Sequence, residues 1–431
     1  MSIKKAAKSV SLLWMGSLLG SGSTFVIYMI LARELGAEQF GIFSSALATA
    51  TVLSILAGFG ISQAWLKHFG KEGWQALRWL PSSFKLISYS VVFVLAILFI
   101  WAYFGPHDEV TKNILCFLSL FIIGQMIIEL ISVKLQLEEK YSMLALWQLL
   151  PNLSRLVFVA SLVYLFSISL EVTQIAFIYA GVAVIFIAIG IYQLYQMSQN
   201  KFDLKGHGEK KEVDTTTPDI KETFSHSWAF GLGSFFAFIY VQSDIIMVKY
   251  IAGDEQAGLY NVGFILLTAI YLFPNVLYQK FLLPKFHRWA NQDKQKFYDV
   301  YKKGNLIMAI LGIVITLFIW SFSWFFIPLM FGEEYVESVK LVNILACTLP
   351  FYLMAFSVAS TLVTQEHMKK KVQYMGIVAI INIFLNALLI PLYQASGAAI
   401  ATVISNALLL SIYFYANKKY VFNNLEVDGN V

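Results

Sequence analysis

Long runs of this chain carry almost no charge. SVVFVLAILFIWAYF (residues 90–104), LCFLSLFIIGQMII (115–128), FIYAGVAVIFIAIGIY (177–192) and LIMAILGIVITLFIWSF (306–322) are apolar on every face. A helix needs about 20 such residues to cross a bilayer, and only helices and closed barrels satisfy their backbone in lipid. The runs lack the alternating polarity of barrel strands. The pattern therefore predicts an all-α polytopic membrane protein. Its twelve expected spans cover 9–31, 40–62, 84–104, 113–133, 142–168, 172–196, 226–248, 257–279, 305–329, 341–364, 372–392 and 396–416. The basic N-terminus reads as the start of the first span, not a signal peptide: its apolar run continues to Leu31 without an AxA-like cleavage site.

The span assignment is tested by charge. Of the 31 Lys and Arg residues, 26 fall on the side of the termini, and only Arg33, Lys112, Lys249 and Lys340 fall on the other. Cytoplasmic loops are enriched in these residues, so both termini are expected in the cytoplasm. The net charge of +5 follows from the same bias, and no aromatic-and-basic module suggests nucleic acid. A composition of 58% hydrophobic and 13% charged residues agrees with membrane residence. Cys116 and Cys347 lie in separate spans and read as packing residues, and none of the six histidines has metal-ligand spacing, so no metal is expected.

The stretch LGAEQFGIF at 35–43 returns 217 positions later as AGDEQAGLY at 252–260, sharing GxEQxG. Each copy stands between the first and second spans of a six-span half. An even separation gives the halves one orientation, related by a pseudo-twofold axis along the membrane normal. LFIW at 98–101 and 317–320 echoes the repeat. The expected domains are a six-helix lobe at 1–199, a flexible cytoplasmic linker at 200–223 and a second six-helix lobe at 224–431. Gly36, Gly41, Gly253 and Gly258 are expected to form tight turns. The basic, Trp-bearing loops at 67–80 and 285–304 read as interfacial anchors, with recruitment of anionic lipid as the alternative. Pro151, Pro274 and Pro350 are expected to kink their spans.

Segments 32–61, 244–270 and 382–410 resemble the polysaccharide-export branch of the multidrug/oligosaccharidyl-lipid/polysaccharide (MOP) exporter superfamily, above all the Wzx-type flippases of O-antigen and similar repeat units. That resemblance implies a bacterial cytoplasmic (inner) membrane flippase. Its cargo is an undecaprenyl-diphosphate-linked oligosaccharide, moved by alternating access of two lobes, with membrane lipids and polysaccharide polymerase machinery as partners. It implies a transporter without a cofactor, driven by H+ or Na+ as coupling ion. The lipid II branch generally has fourteen spans and cavity arginines from span one. Here Ser17, Ser21 and Thr24 stand there instead, which argues against a peptidoglycan precursor.

Ionisable groups inside spans are costly and so mark functional positions. Gln148, Asn152 and Arg155 form one stripe on span five, and a guanidinium is suited to a diphosphate. Lys249 joins them as a cargo-binding candidate. Glu129 and Asp244 are the candidates for carrying a proton or coupling cation. Other roles stay open at this point: Arg155 pairing with Glu129 or a helix-end carbonyl, and Asp244 pairing with Lys249. Asn382, Asn386, Ser405 and Asn406 would reach sugar hydroxyls or join helices. Gly16 and Gly20 suit close helix packing. A cation-coupled drug exporter, or a glycan polymerase or ligase, are the competing functions; short outer loops argue against the enzymes.

Overall fold

The computed structural model describes residues 3–166, 169–199, 201–207, 216–275, 277, 278, 282, 286, 289, 290, 292–364 and 368–422. Among them every regular element is a helix. In chain order these are α1 (Ile3–Gly58), α2 (Ile61–Glu72) with a 3-10 turn at Gly73–Trp79, α3 (Leu80–Phe104), α4 (Glu109–Leu137), α5 (Tyr141–Ala160) and α6 (Val172–Ser198). Then follow α7 (Ile220–Ala252), α8 (Asp254–Asn275), α9 (Lys294–Phe331), α10 (Ser338–Ala346), α11 (Thr348–Thr364), α12 (Met368–Tyr393) and α13 (Ala395–Tyr420).

Polar residues set the helix ends. Asp108 accepts a hydrogen bond from the Thr111 amide at 3.0 Å ahead of α4, Asp219 accepts from the Glu222 amide at 2.6 Å in α7, and Asp293 accepts from the Lys296 amide at 3.0 Å in α9. A capping box of Glu171 and Gln174 opens α6. Each satisfies an amide that has no intrahelical partner. Nine stretches among the described residues are long and apolar enough to cross a membrane. One of them, Ser11–Phe104, holds three of the expected spans, so the described residues do not fix the expected count of twelve.

Contacts gather the chain into two compact units. One comprises residues 1–27 and 45–238, the other 28–44 and 239–431. This division differs from linear halves, because it runs through α1 twice and through α7 once. In the first unit α4 packs on α6, and α5 lies against both. Gly16 and Gly20 of α1 face α5, where a β-carbon on Gly16 would lie 3.2 Å from that of Ala145. The close packing expected of this pair is present.

The described parts of the linker are held at both ends. Phe202 is buried against Phe69 and Trp74, with ring centroids 5.4 and 6.1 Å away. The Lys205 amide donates to the Leu137 carbonyl at 3.1 Å, and the Ser82 hydroxyl donates to the Pro218 carbonyl. An aromatic residue with an apolar seat nearby overrides a polar local composition. Residues 208–215 of the expected linker and part of the 285–304 loop lie outside the described residues. In the 67–80 segment Trp79 is not a lipid anchor: it is buried, stacked on His68 at 4.0 Å. Span ten is split at Cys347, and Pro350 stands in the first turn of α11, where proline removes no helical hydrogen bond.

The repeat has a structural basis that sequence expectation only half captured. Gly36 (φ 72°) and Gly253 (φ 102°) do adopt the positive φ that reverses the chain. Gly41 and Gly258 are helical instead, and they touch. A β-carbon on Gly41 would lie 1.8 Å from the Asp254 carbonyl oxygen, and one on Gly258 would lie 2.0 Å from the Ala37 carbonyl oxygen. Positions 37 and 41 correspond to 254 and 258 in the repeat, so the contact is reciprocal. The two hairpins pack backbone to backbone, within the unit formed by 28–44 and 239–431.

Candidate functional site

The first unit encloses a buried cation. Arg155 is 4% exposed on α5, between aromatic rings of the two helices beside it. Its guanidinium carbon is 4.7 Å from the Tyr179 ring centre on α6 and 5.1 Å from that of Phe121 on α4. Desolvated cation–π contacts are worth about 2 kcal/mol or more. One helical turn away, Asn152 Oδ1 accepts a hydrogen bond from Arg155 Nη1 at 3.1 Å. This fixes the amide orientation and directs the Asn152 NH2 group toward Gly20 of α1. Gln148, another turn along, is exposed and donates to Ser132 Oγ at 3.5 Å. The three residues form the stripe expected from their spacing.

Glu129 stands apart from it. The Ser62 hydroxyl donates to its carboxylate, and the Glu129 side chain is exposed. The ion pair with Arg155 that depth along the helices left open is not formed. Lys249 also departs from the role expected of it. Its ammonium lies 2.5 Å from Asp254 Oδ1, closing an ion pair across the Gly253 turn. That contact belongs to the hairpin.

The second unit contains a buried acid. Asp244 of α7 is 2% exposed, and no basic side chain among the described residues pairs with it. Its partners come from three other helices: Tyr260 of α8 donates at 2.8 Å, Thr402 of α13 at 2.5 Å and Asn386 of α12 at 2.6 Å. Asn386 also donates to Asn382 Oδ1 at 3.1 Å, and Ser243 donates to the same oxygen at 3.3 Å. Thr402 has one hydroxyl proton but two acceptors, Asp244 and the Ala398 carbonyl at 2.9 Å. Asn386 Oδ1 is buried without a hydrogen-bond partner. The Asp244 carboxylate thus accepts from three side-chain donors, and Asn386 supplies a further buried oxygen without a donor.

Such a cluster suits a small hard cation, which takes oxygen ligands, or a proton placed on the carboxylate. A cavity of about 210 Å³ adjoins it, bounded by Asp244, Thr402 and aromatic residues including Tyr240, Tyr271 and Tyr352. Sequence reading named Asp244, Asn382 and Asn386 but not Tyr260 or Thr402. Tyr260 closes the second repeat copy, and a polar residue one turn beyond Ala398 was the signal for Thr402.

Residues 6–290 match the model of a family described as "Polysaccharide biosynthesis protein". The chain belongs to that family. Among its relatives is the "Probable low-salt glycan biosynthesis flippase Agl15" of Haloferax volcanii, 23% identical over 411 residues that cover 93% of this chain and 81% of that one. The fold of this family member is shared with the lipid II flippase MurJ in an inward closed conformation. That structure has a TM-score of 0.73 and 14% identity, covering 95% of this chain and 87% of that one. An inward-facing multidrug resistance MATE family transporter of the MOP superfamily gives a TM-score of 0.67 at 14% identity, covering 94% of this chain and 96% of that one. The family member is thus a multi-pass membrane protein that shares the fold of these transporters.

Proposed function

We propose that the protein flips undecaprenyl-diphosphate-linked oligosaccharide repeat units across the bacterial cytoplasmic membrane, for O-antigen or capsule-type surface polysaccharide. Both termini are then cytoplasmic. The observation that carries this reading is the family match over residues 6–290, in a chain whose fold is that of lipid and drug transporters. In the first unit, Gln148 and Asn152 offer hydrogen-bond donors to the cargo headgroup. Arg155, too buried to meet bulk cargo directly, acts as a positioning residue: it holds the Asn152 amide and supplies positive potential behind it. In the second unit, Asp244 with Thr402 and Asn386 carries the coupling Na+ or H+.

Deletion followed by leaflet-resolved analysis of lipid-linked oligosaccharide tests the flippase reading. Accumulation on the cytoplasmic face is the expected result. Accumulation in the outer leaflet would assign the defect to polymerisation. The aromatic lining of the 210 Å³ cavity favours one second reading, export of small cationic compounds. Changed drug susceptibility with intact surface polysaccharide would select it.

A further inference from the structure

A groove of about 790 Å³ runs along the second unit between α9, α10 and α13. Its wall includes Trp320, Trp324, Lys340, Asn343, Cys347 and Ile404. The wall is apolar because its polar atoms are already engaged. Trp320 Nε1 donates to the Asn343 carbonyl at 2.9 Å, Trp324 Nε1 donates to the Ser321 carbonyl at 2.9 Å, and Asn343 Oδ1 accepts from Ser323 at 2.9 Å. The ring faces remain exposed, as do Ile404 and Val336.

Lys340 stands at the rim, on the membrane side where charge is scarce. The other three basic residues assigned to that side have partners. Arg33 donates to the Leu329 carbonyl at 3.0 Å, Lys112 meets Glu109 at 2.7 Å, and Lys249 meets Asp254 at 2.5 Å. Lys340 is exposed, with no hydrogen-bond or ion-pair partner among the described residues. Glu337, one turn before it, is exposed as well. Residues at i and i+3 are neighbours on a helical surface. The rim therefore presents a cation beside a carboxylate, above an apolar trough flanked by tryptophan.

We propose that this groove seats a phosphatidylethanolamine molecule, its phosphate on Lys340, its primary ammonium on Glu337 and an acyl chain along Trp324 and Trp320 toward Cys347. The mixed charge selects a zwitterionic lipid. A net-anionic headgroup would meet the Glu337 carboxylate, and a quaternary ammonium has no N–H to donate to it. A diphosphate carrier lipid, with two or more negative charges, fits this rim less well still.

The test uses full-length protein in micelles, so it does not depend on membrane orientation or on the cargo. C116S leaves Cys347 as the only thiol. Native mass spectrometry counts bound lipid, and alkylation of Cys347 reports occupancy of the groove itself. Phosphatidylethanolamine is expected to be retained in preference to phosphatidylcholine and phosphatidylglycerol, and to slow alkylation most. K340Q should weaken its retention about fivefold, the effect of one basic residue near a lipid surface. E337Q should abolish the preference over phosphatidylcholine while leaving phosphate-dependent binding. Equal protection by all three lipids, or tighter binding of phosphatidylglycerol, would overturn the proposal. So would undecaprenyl phosphate displacing phosphatidylethanolamine, which would make the groove a seat for the carrier lipid.

Discussion

Replacing Gly41 by alanine tests whether the paired hairpins are a working contact. Its β-carbon would start 1.8 Å from the Asp254 carbonyl oxygen and 2.7 Å from the Gly258 amide nitrogen. Both are backbone atoms, so no rotamer change relieves the clash. Reaching even a 3.0 Å contact needs the hairpins to part by about 1.2 Å. Overpacking of this kind costs about 1–3 kcal/mol, which disfavours the packed state about 5- to 150-fold. Gly258→Ala meets the Ala37 carbonyl in the same way and should match it. The double variant should cost less than the sum, because the first substitution has already separated the surfaces. Spin labels at Glu38→Cys and Glu255→Cys, both exposed, in a C116S/C347S background would read the separation by pulsed EPR. Gly22→Ala is the control: nothing lies within 4 Å of its β-carbon, so alanine there should stabilise the helix by about 1 kcal/mol. Unchanged label distances and Tm in Gly41→Ala, or strictly additive costs, would refute the contact as described.

Arg155→Lys keeps the charge but loses the planar stack and the fork that orients Asn152. It should lower stability by about 1–2 kcal/mol, measured by Tm, and reduce lipid-linked oligosaccharide transport nearly as far as Arg155→Ala; wild-type transport in both would remove the positioning role. Asn386→Ala should destabilise by about 1 kcal/mol and shift the cation dependence of transport, whereas a purely structural role would move only Tm. The position equivalent to Asp244 in the first repeat copy is Ile27, so the repeat supplies no second acid; with Asp244 as the proposed coupling group, transport should depend on Na+ or H+ with a Hill coefficient near one, abolished in Asp244→Asn, and a coefficient of two would refute this. His68 lies outside the spans in amphipathic α2. Burial pushes its pKa below 6.5, Glu72 opposes this, and the His226 ring 5.0 Å away and Lys67 reinforce it. A base with a depressed folded-state pKa contributes stability that is complete above pH 6.5 and is lost as pH falls through the lower folded value. Acidification from pH 7.5 to 5.5 should therefore lower the Tm of wild type more than that of His68→Phe, which keeps the stack on Trp79; equal shifts would exclude His68 as the cause.

Much of the helical architecture was legible because a bilayer imposes a long uniform period on the sequence, and because the cation count checks the span assignment independently. The stripe Gln148, Asn152 and Arg155 was legible for the same geometrical reason. What bound Arg155 was not. Phe121 and Tyr179 sit on other helices and look like any apolar residues of a span, so the sequence pointed to a diphosphate, with Glu129 or a helix-end carbonyl as the internal alternatives. Long-range side-chain partners carry no local period. The docking of Phe202 was hidden likewise: one aromatic residue among lysines and glutamates reads as linker until its seat beside Phe69 is known.

The repeat separates what duplication preserved from what each half acquired. Gly41 and Gly258 are retained at equivalent positions because each faces the other's backbone, and a side chain at either one disturbs both hairpins. Asp244 sits nine residues before Gly253, whereas the residue nine before Gly36 is Ile27, which is 1% exposed. The symmetry of the chain is thus a symmetry of backbone contact and not of charge. The buried cation lies in the first unit and the buried acid in the second, so one half can change its ionic state without the other. Two equal acids would bind two ions of equal affinity. On the proposed coupling role, the ion acts at Asp244 in the second unit, while the Gly41–Gly258 contact is made of backbone groups that do not titrate.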